Sequence, residues 1–194
     1  MANDLTELIF VLDRSGSMSG LEDSTIKGYN DFLAEQATLP GELKVTTVLF
    51  DSHYKMLFDG VPAAEAKLNS QLYRTQGCTA LYDAVGRTIV DVSVRLATLP
   101  EQQKPQQVIM VITTDGYENS STDFSKREVK VLIKKQEEAG WKFLFFGANI
   151  DAADAAETIG IKRDDAVQFE ASEAGVKACY ARACGSVKAM RSRR

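Results

Sequence analysis

The chain has one histidine, one tryptophan, four prolines and three cysteines in 194 residues. No apolar run approaches the ~20 residues a membrane-spanning helix needs. The stretch from Met1 to Glu7 has neither a basic start nor an apolar core, so it does not read as a secretory leader. Cys78, Cys179 and Cys184 are odd in number and match no metal or redox spacing, so they are expected to be reduced thiols in a cytoplasmic protein. The lone His53 opens the return strand of a turn and has no partner motif, which predicts plain surface. Basic residues are outnumbered, 23 Lys and Arg against 27 Asp and Glu. The net charge is -4, which does not favour a nucleic-acid partner. The exception is the end of the chain, where Lys188, Arg191, Arg193 and Arg194 have no acid among them and residues 189–194 read as a frayed tail.

Hydrophobic residues make up 44% and charged residues 26%, enough for one domain with a full core, spanning about residues 5–188 of 1–194. Short continuous apolar runs predict strands at 7–13, 45–50, 54–58, 107–114, 141–147 and 166–169. Helical spacing predicts helices at about 20–37, 63–72, 80–97, 125–138, 152–159 and 172–188. In the third of these, Leu81, Val85, Ile89, Val92 and Leu96 form an inward stripe. Gly28, inside the first helix, costs roughly 1 kcal/mol against alanine and suggests a close approach to the sheet. Alternating strands and helices specify an α/β, Rossmann-like three-layer sandwich: a mostly parallel sheet, one antiparallel edge strand from the 45–58 hairpin, and helices on both faces. Ligands of such sheets bind beyond the carboxyl ends of the strands, where the winding reverses. That places Asp13 and Asp115 side by side.

Three loops bring oxygen donors to this edge. Asp13, Ser15 and Ser17 alternate on the first, Thr79 lies on the second and Asp115 on the third. With no Cys or His among them, the donor set suits a hard divalent cation such as Mg2+. Five side chains, some acting through water, leave a coordination position for an outside ligand. Where hydroxyls make the direct contacts, the ion stays electron-poor and favours an anionic sixth ligand, most simply an Asp or Glu carboxylate of a partner. Each residue also has a plainer use. Ser15 and Ser17 suit the cap of the following helix, Thr79 the cap of the helix at 80, and Asp115-Gly116 a turn. Asp83 reads as a first-turn acid favoured by the helix dipole, and Arg14 as solvent-facing at the rim. Tyr117, Glu118 and Asn119 follow Asp115 and are placed to shape partner choice.

Asp13-x-Ser15-x-Ser17, then Gly77-x-Thr79-Ala80-Leu81-Tyr82-Asp83-Ala84, then Thr114-Asp115-Gly116 resembles the von Willebrand factor A domain family and its metal-ion-dependent adhesion site. Phe146-Gly147-Ala148-Asn149-Ile150-Asp151 is similar to stand-alone bacterial and phage members. The resemblance implies Mg2+ (with Mn2+ or Ca2+ as substitutes) held by Ser15, Ser17 and Thr79, with Asp13 and Asp115 direct or through water. It also implies protein binding rather than catalysis. Two other readings stay open. One is a Mg2+-dependent phosphatase or phosphotransferase with Asp13 as nucleophile, although Ser15 stands where that chemistry wants a second acid. The other is an assembly component in which the metal staples the fold.

Overall fold

The computed structural model describes residues 4–192. Met1, Ala2 and Asn3, read with the start of the chain, and Arg193 and Arg194, read with the basic tail, lie outside the described residues. The strands are β1 (Leu5–Asp13), β2 (Glu42–Phe50), β3 (Tyr54–Pro62), β4 (Gln107–Thr114), β5 (Lys142–Ala148) and β6 (Ala166–Phe169). The helices are α1 (Glu22–Ala37), α2 (Leu81–Thr98), α3 (Lys126–Glu138), α4 (Ala152–Thr158) and α5 (Glu173–Ser192). The sheet runs β3-β2-β1-β4-β5-β6, parallel throughout except for the β2–β3 hairpin. This is the α/β sandwich expected, with the winding reversing between β1 and β4.

The central strands are apolar on both faces because both faces are covered. Leu8, Phe10 and Leu12 of β1 point into the layer with α1 and α5, while Ile9 and Val11 point into the layer with α2 and α3. Phe10 anchors the first layer, with its ring edge-on to Tyr29 at 4.9 Å and Phe32 at 5.2 Å between centroids. On the other face, Leu81, Val85, Ile89 and Val92 are buried along α2 as the spacing predicts, and Leu96 is partly buried.

Four expectations are corrected. No helix forms over 63–72. That segment is irregular because side chains take the backbone groups a helix would use. Asn30 donates to Leu68 O at 2.9 Å and accepts from Leu68 N at 3.0 Å, and Asn69 Oδ1 accepts from the Gln71 and Leu72 N–H groups. Ala66, Leu68 and Tyr73 pin it to the core. The basic end is not frayed through 192. α5 continues to Ser192, and Arg191 is 3% exposed, donating to Gln36 O at 2.7 Å and Pro40 O at 3.2 Å. Its guanidinium meets a carbonyl of the last turn of α1 and one just beyond that helix. Arg14 is buried rather than solvent-facing, because Asp51 is buried beside it. Gly28 makes its close approach to α5 rather than the sheet: a methyl there would overlap the Tyr180 ring.

Gly28→Ala sets a helix gain of roughly 1 kcal/mol against overpacking of about 1–3 kcal/mol on a buried ring. The overlap is expected to win, lowering Tm by a few degrees in a thermal melt; a higher Tm would contradict this packing.

Candidate metal centre

β1 and β4 are adjacent and parallel, with Leu12 opposite Thr113, so the loops after them leave the sheet together. Asp13 ends β1 at 1% exposure. Its Oδ1 accepts from Ser15 N at 2.6 Å and its Oδ2 from Thr114 Oγ1 at 2.6 Å. The buried Tyr73 hydroxyl donates to Asp13 O at 2.5 Å. Ser15 Oγ and Ser17 Oγ are 3.1 Å apart, and Ser17 Oγ donates to Asp115 Oδ1 at 2.6 Å. A methyl built on Gly116 would meet Thr79 Oγ1 at 3.4 Å and Ser17 Oγ at 3.8 Å, so both hydroxyls face one point beside Asp115. The fold therefore brings together all five oxygen-bearing side chains singled out in the sequence.

The plainer capping uses of Ser15, Ser17 and Thr79 are not realised. Ser15 precedes a single 3-10 turn (Gly16–Met18) without a side-chain cap bond, and the cap position of α1 is Leu21, also without one. Ala80, not Thr79, occupies the cap position of α2. Among the described residues no three His, Cys, Asp or Glu side chains are grouped to hold a metal, so any ion here depends on the hydroxyls.

Burial is the main cause that pushes the Asp13 carboxyl up from 3.8 to about 6; the hydrogen bonds from Ser15 and Thr114 oppose it and Asp115 adds to it. Burial also raises Asp115, against the Ser17 hydrogen bond. Asp115 Oδ2 is buried with no hydrogen-bond partner. Two buried carboxylates and an unpaired oxygen among converging hydroxyls form an environment that a divalent cation would stabilise.

The supporting contacts were less visible in the sequence. Asn119 is exposed but also fastens the second loop. Its Oδ1 accepts from Thr79 N at 2.9 Å and its N–H donates to Thr79 O at 3.0 Å. Glu118 accepts from Tyr82 N and Ser121 N, and Asp83 accepts from the Thr122, Asp123 and Phe124 N–H groups. The third loop is thus bound to the start of α2, and Asp83 serves that loop rather than only the helix dipole. Tyr117 remains exposed, its hydroxyl accepting from Asp151 N at 3.2 Å. His53 is exposed as expected but touches Asp51 at 3.1 Å through Nδ1. The available signal for Asp51 was the strand order: Asp13 pairs with Phe50 across β1–β2, so the residue after Phe50 must lie beside the first loop.

No family model matches the chain, and no curated protein matches it in sequence. Solved structures do match. The vWF domain of the type V pili tip protein Mfa5 from Porphyromonas gingivalis has a TM-score of 0.71 at 11% identity, over 97% of this chain and 97% of that one. The PilB minor pilin from Streptococcus sanguinis has 0.66 at 12%, over 94% and 61%. Proximal thread matrix protein 1 from the mussel byssus, in a structure described as having a zinc-occupied MIDAS motif, has 0.59 at 14%, over 95% and 47%. The chain therefore spans less than two thirds of the pilin and of the byssus protein. By its strand order, its helical layers and these likenesses, the chain has a von Willebrand factor A-like fold.

Proposed function

We propose that the chain is a divalent-metal-dependent protein-interaction module. Ser15, Ser17 and Thr79 would hold the ion with Asp13 and Asp115, Mg2+ being the ion best matched to an all-oxygen set. The observation that carries this reading is the buried, unpartnered Asp115 Oδ2 among three hydroxyls from two other loops. When bound, the ion supplies a Lewis-acidic position for an Asp or Glu carboxylate of a partner. Zinc in the byssus protein's MIDAS motif and the pilus-associated domains of like fold are in keeping with it. The site is read as a binding site, not a catalytic one, since Ser15 bonds Ser17 and offers no acid. The unpaired thiols Cys78, Cys179 and Cys184 fit a reducing, cytoplasmic setting.

The test has two arms. Titration with Mg2+ or Mn2+ should show one site. Wild-type bait in Mg2+ should then retain a partner that EDTA releases and that Ser15→Ala bait does not hold. Absence of metal binding, or capture indifferent to both EDTA and Ser15, would overturn the proposal. Magnesium-dependent phosphoester hydrolysis lost in Asp13→Asn would favour the enzyme reading instead. A large Tm gain with metal but no metal-dependent capture would favour the staple.

A further inference from the structure

The loop that brings Thr79 to the centre carries little regular structure of its own between Gln76 and Ala80. What holds it is the turn after β2. Asp51 is fully buried, at 0% exposure, although it is a charged residue in a surface turn. Its Oδ2 accepts from Gln76 Nε2 at 3.0 Å, and its main-chain carbonyl accepts from Ala80 N at 3.1 Å. The two ends of the five-residue segment are therefore fastened to one residue. Between them, Cys78 N donates to Ser52 Oγ at 2.9 Å, and Gly77, at φ +68°, lies against Asp51 Cβ.

The same carboxylate reaches the first loop. Arg14 Nε lies 2.9 Å from Asp51 Oδ2, an ion pair by distance although its N–H is not aimed along the contact. Two backbone bonds complete the junction: Gln76 N to Arg14 O at 2.8 Å and Gly16 N to Gly77 O at 3.0 Å. The other Asp51 oxygen accepts from His53 N at 2.6 Å, which closes the turn itself. One carboxylate oxygen thus serves the turn, and the other joins the loop of Ser15 and Ser17 to the loop of Thr79.

We propose that Asp51 is the positioning residue of the metal centre, setting the Thr79 hydroxyl against those of Ser15 and Ser17. This rests on the metal reading given above. Asp51 does not touch the ion; it acts through Arg14, Gln76 and the Ala80 N–H. Asp51→Asn keeps the shape but removes the charge beside Arg14, and in either orientation its amide N–H meets a donor, Arg14 and Gln76 on one side or the His53 N–H on the other, so the junction loosens without a cavity.

Mn2+ affinity is measured for the wild type, Asp51→Asn, Thr79→Ala and the double variant. Partners that orient metal ligands typically contribute 10–100-fold in affinity. Asp51→Asn is expected to weaken Mn2+ binding by about that factor, and the double variant to bind no more weakly than about threefold below Thr79→Ala alone, because both changes remove the same ligand. An unchanged Kd in Asp51→Asn, or a double variant whose loss equals the product of the two single losses, would overturn the assignment. A merely structural Asp51 would lower Tm in EDTA but give that multiplicative result. If Asp51→Asn does not fold, Gln76→Ala enters the same cycle with the same non-additivity expected. A wild-type chain that binds no Mn2+ defeats the metal reading itself, and does so before any variant is compared.

Discussion

Asp13→Asn is expected to lose the response to divalent cations entirely. In the wild type, a cation at a hundred times its Kd stabilises the fold by about 2.7 kcal/mol, which for a chain of this size is a Tm gain of about 5–10 °C. The variant should show no gain. Asparagine suits the position in every other respect. Its oxygen can accept from Ser15 N, and its amide can donate to Thr114 Oγ1, which has Gly116 O at 3.1 Å as an acceptor of its own. The loss is therefore one of charge, not of structure. In EDTA the comparison should also depend on pH. The folded metal-free protein holds the Asp13 proton more tightly than the unfolded chain, with a carboxyl raised from 3.8 to about 6. Its ionisation therefore weakens the wild type as pH rises from about 4 through about 6, and Asp13→Asn should lack that decline. Thermal melts of both proteins in EDTA and in excess Mg2+, at several pH values, read all of this. A variant that still gains stability with Mg2+ would contradict the centre.

The second large effect lies at the opposite end of the strands. Glu7, in β1, is 1% exposed and accepts from Arg95 of α2 and from Thr46 Oγ1 at 2.7 Å. Arg95 also lies 2.7 Å from the half-exposed Asp59 of β3, so one guanidinium joins α2 to strands β1 and β3. Arg95→Ala leaves the Glu7 charge buried without its cation. Breaking such a pair from one side costs about 3–5 kcal/mol, a Tm loss on the order of 10 °C. The double change Glu7→Gln with Arg95→Met removes both charges and should recover most of that loss, because a buried pair replaced as a whole is close to neutral. Chemical denaturation of the two variants distinguishes these outcomes; equal losses would show that the pair is not what matters.

Much of the fold was legible because the central strands are buried on both faces. Runs such as Leu8 to Leu12 and Val108 to Ile112 then carry no polar interruption, and their alternate residues serve two different cores. The site was legible for a related reason. Parallel strands deliver their carboxyl-terminal loops to one edge, so Asp13 and Asp115 could be placed together from strand order alone. What was not legible depended on pairings distant in sequence. Residues 63–72 have the composition of a helix, and nothing local shows that Asn30 will take the Leu68 backbone groups. Arg14 and Arg191 look like surface bases until Asp51 and the end of α1 are placed beside them. Asp51 itself looks like any turn aspartate, because its burial follows from the Gln76–Ala80 segment folding over it.

The most direct measurement is an anomalous-difference map from crystals grown with Mn2+. One peak should appear at the carboxyl edge between β1 and β4, about 2.1 Å from the hydroxyls of Ser15, Ser17 and Thr79, with a water or a foreign carboxylate at the remaining position. A map with no peak there, or with manganese bound only at surface carboxylates, would contradict the account.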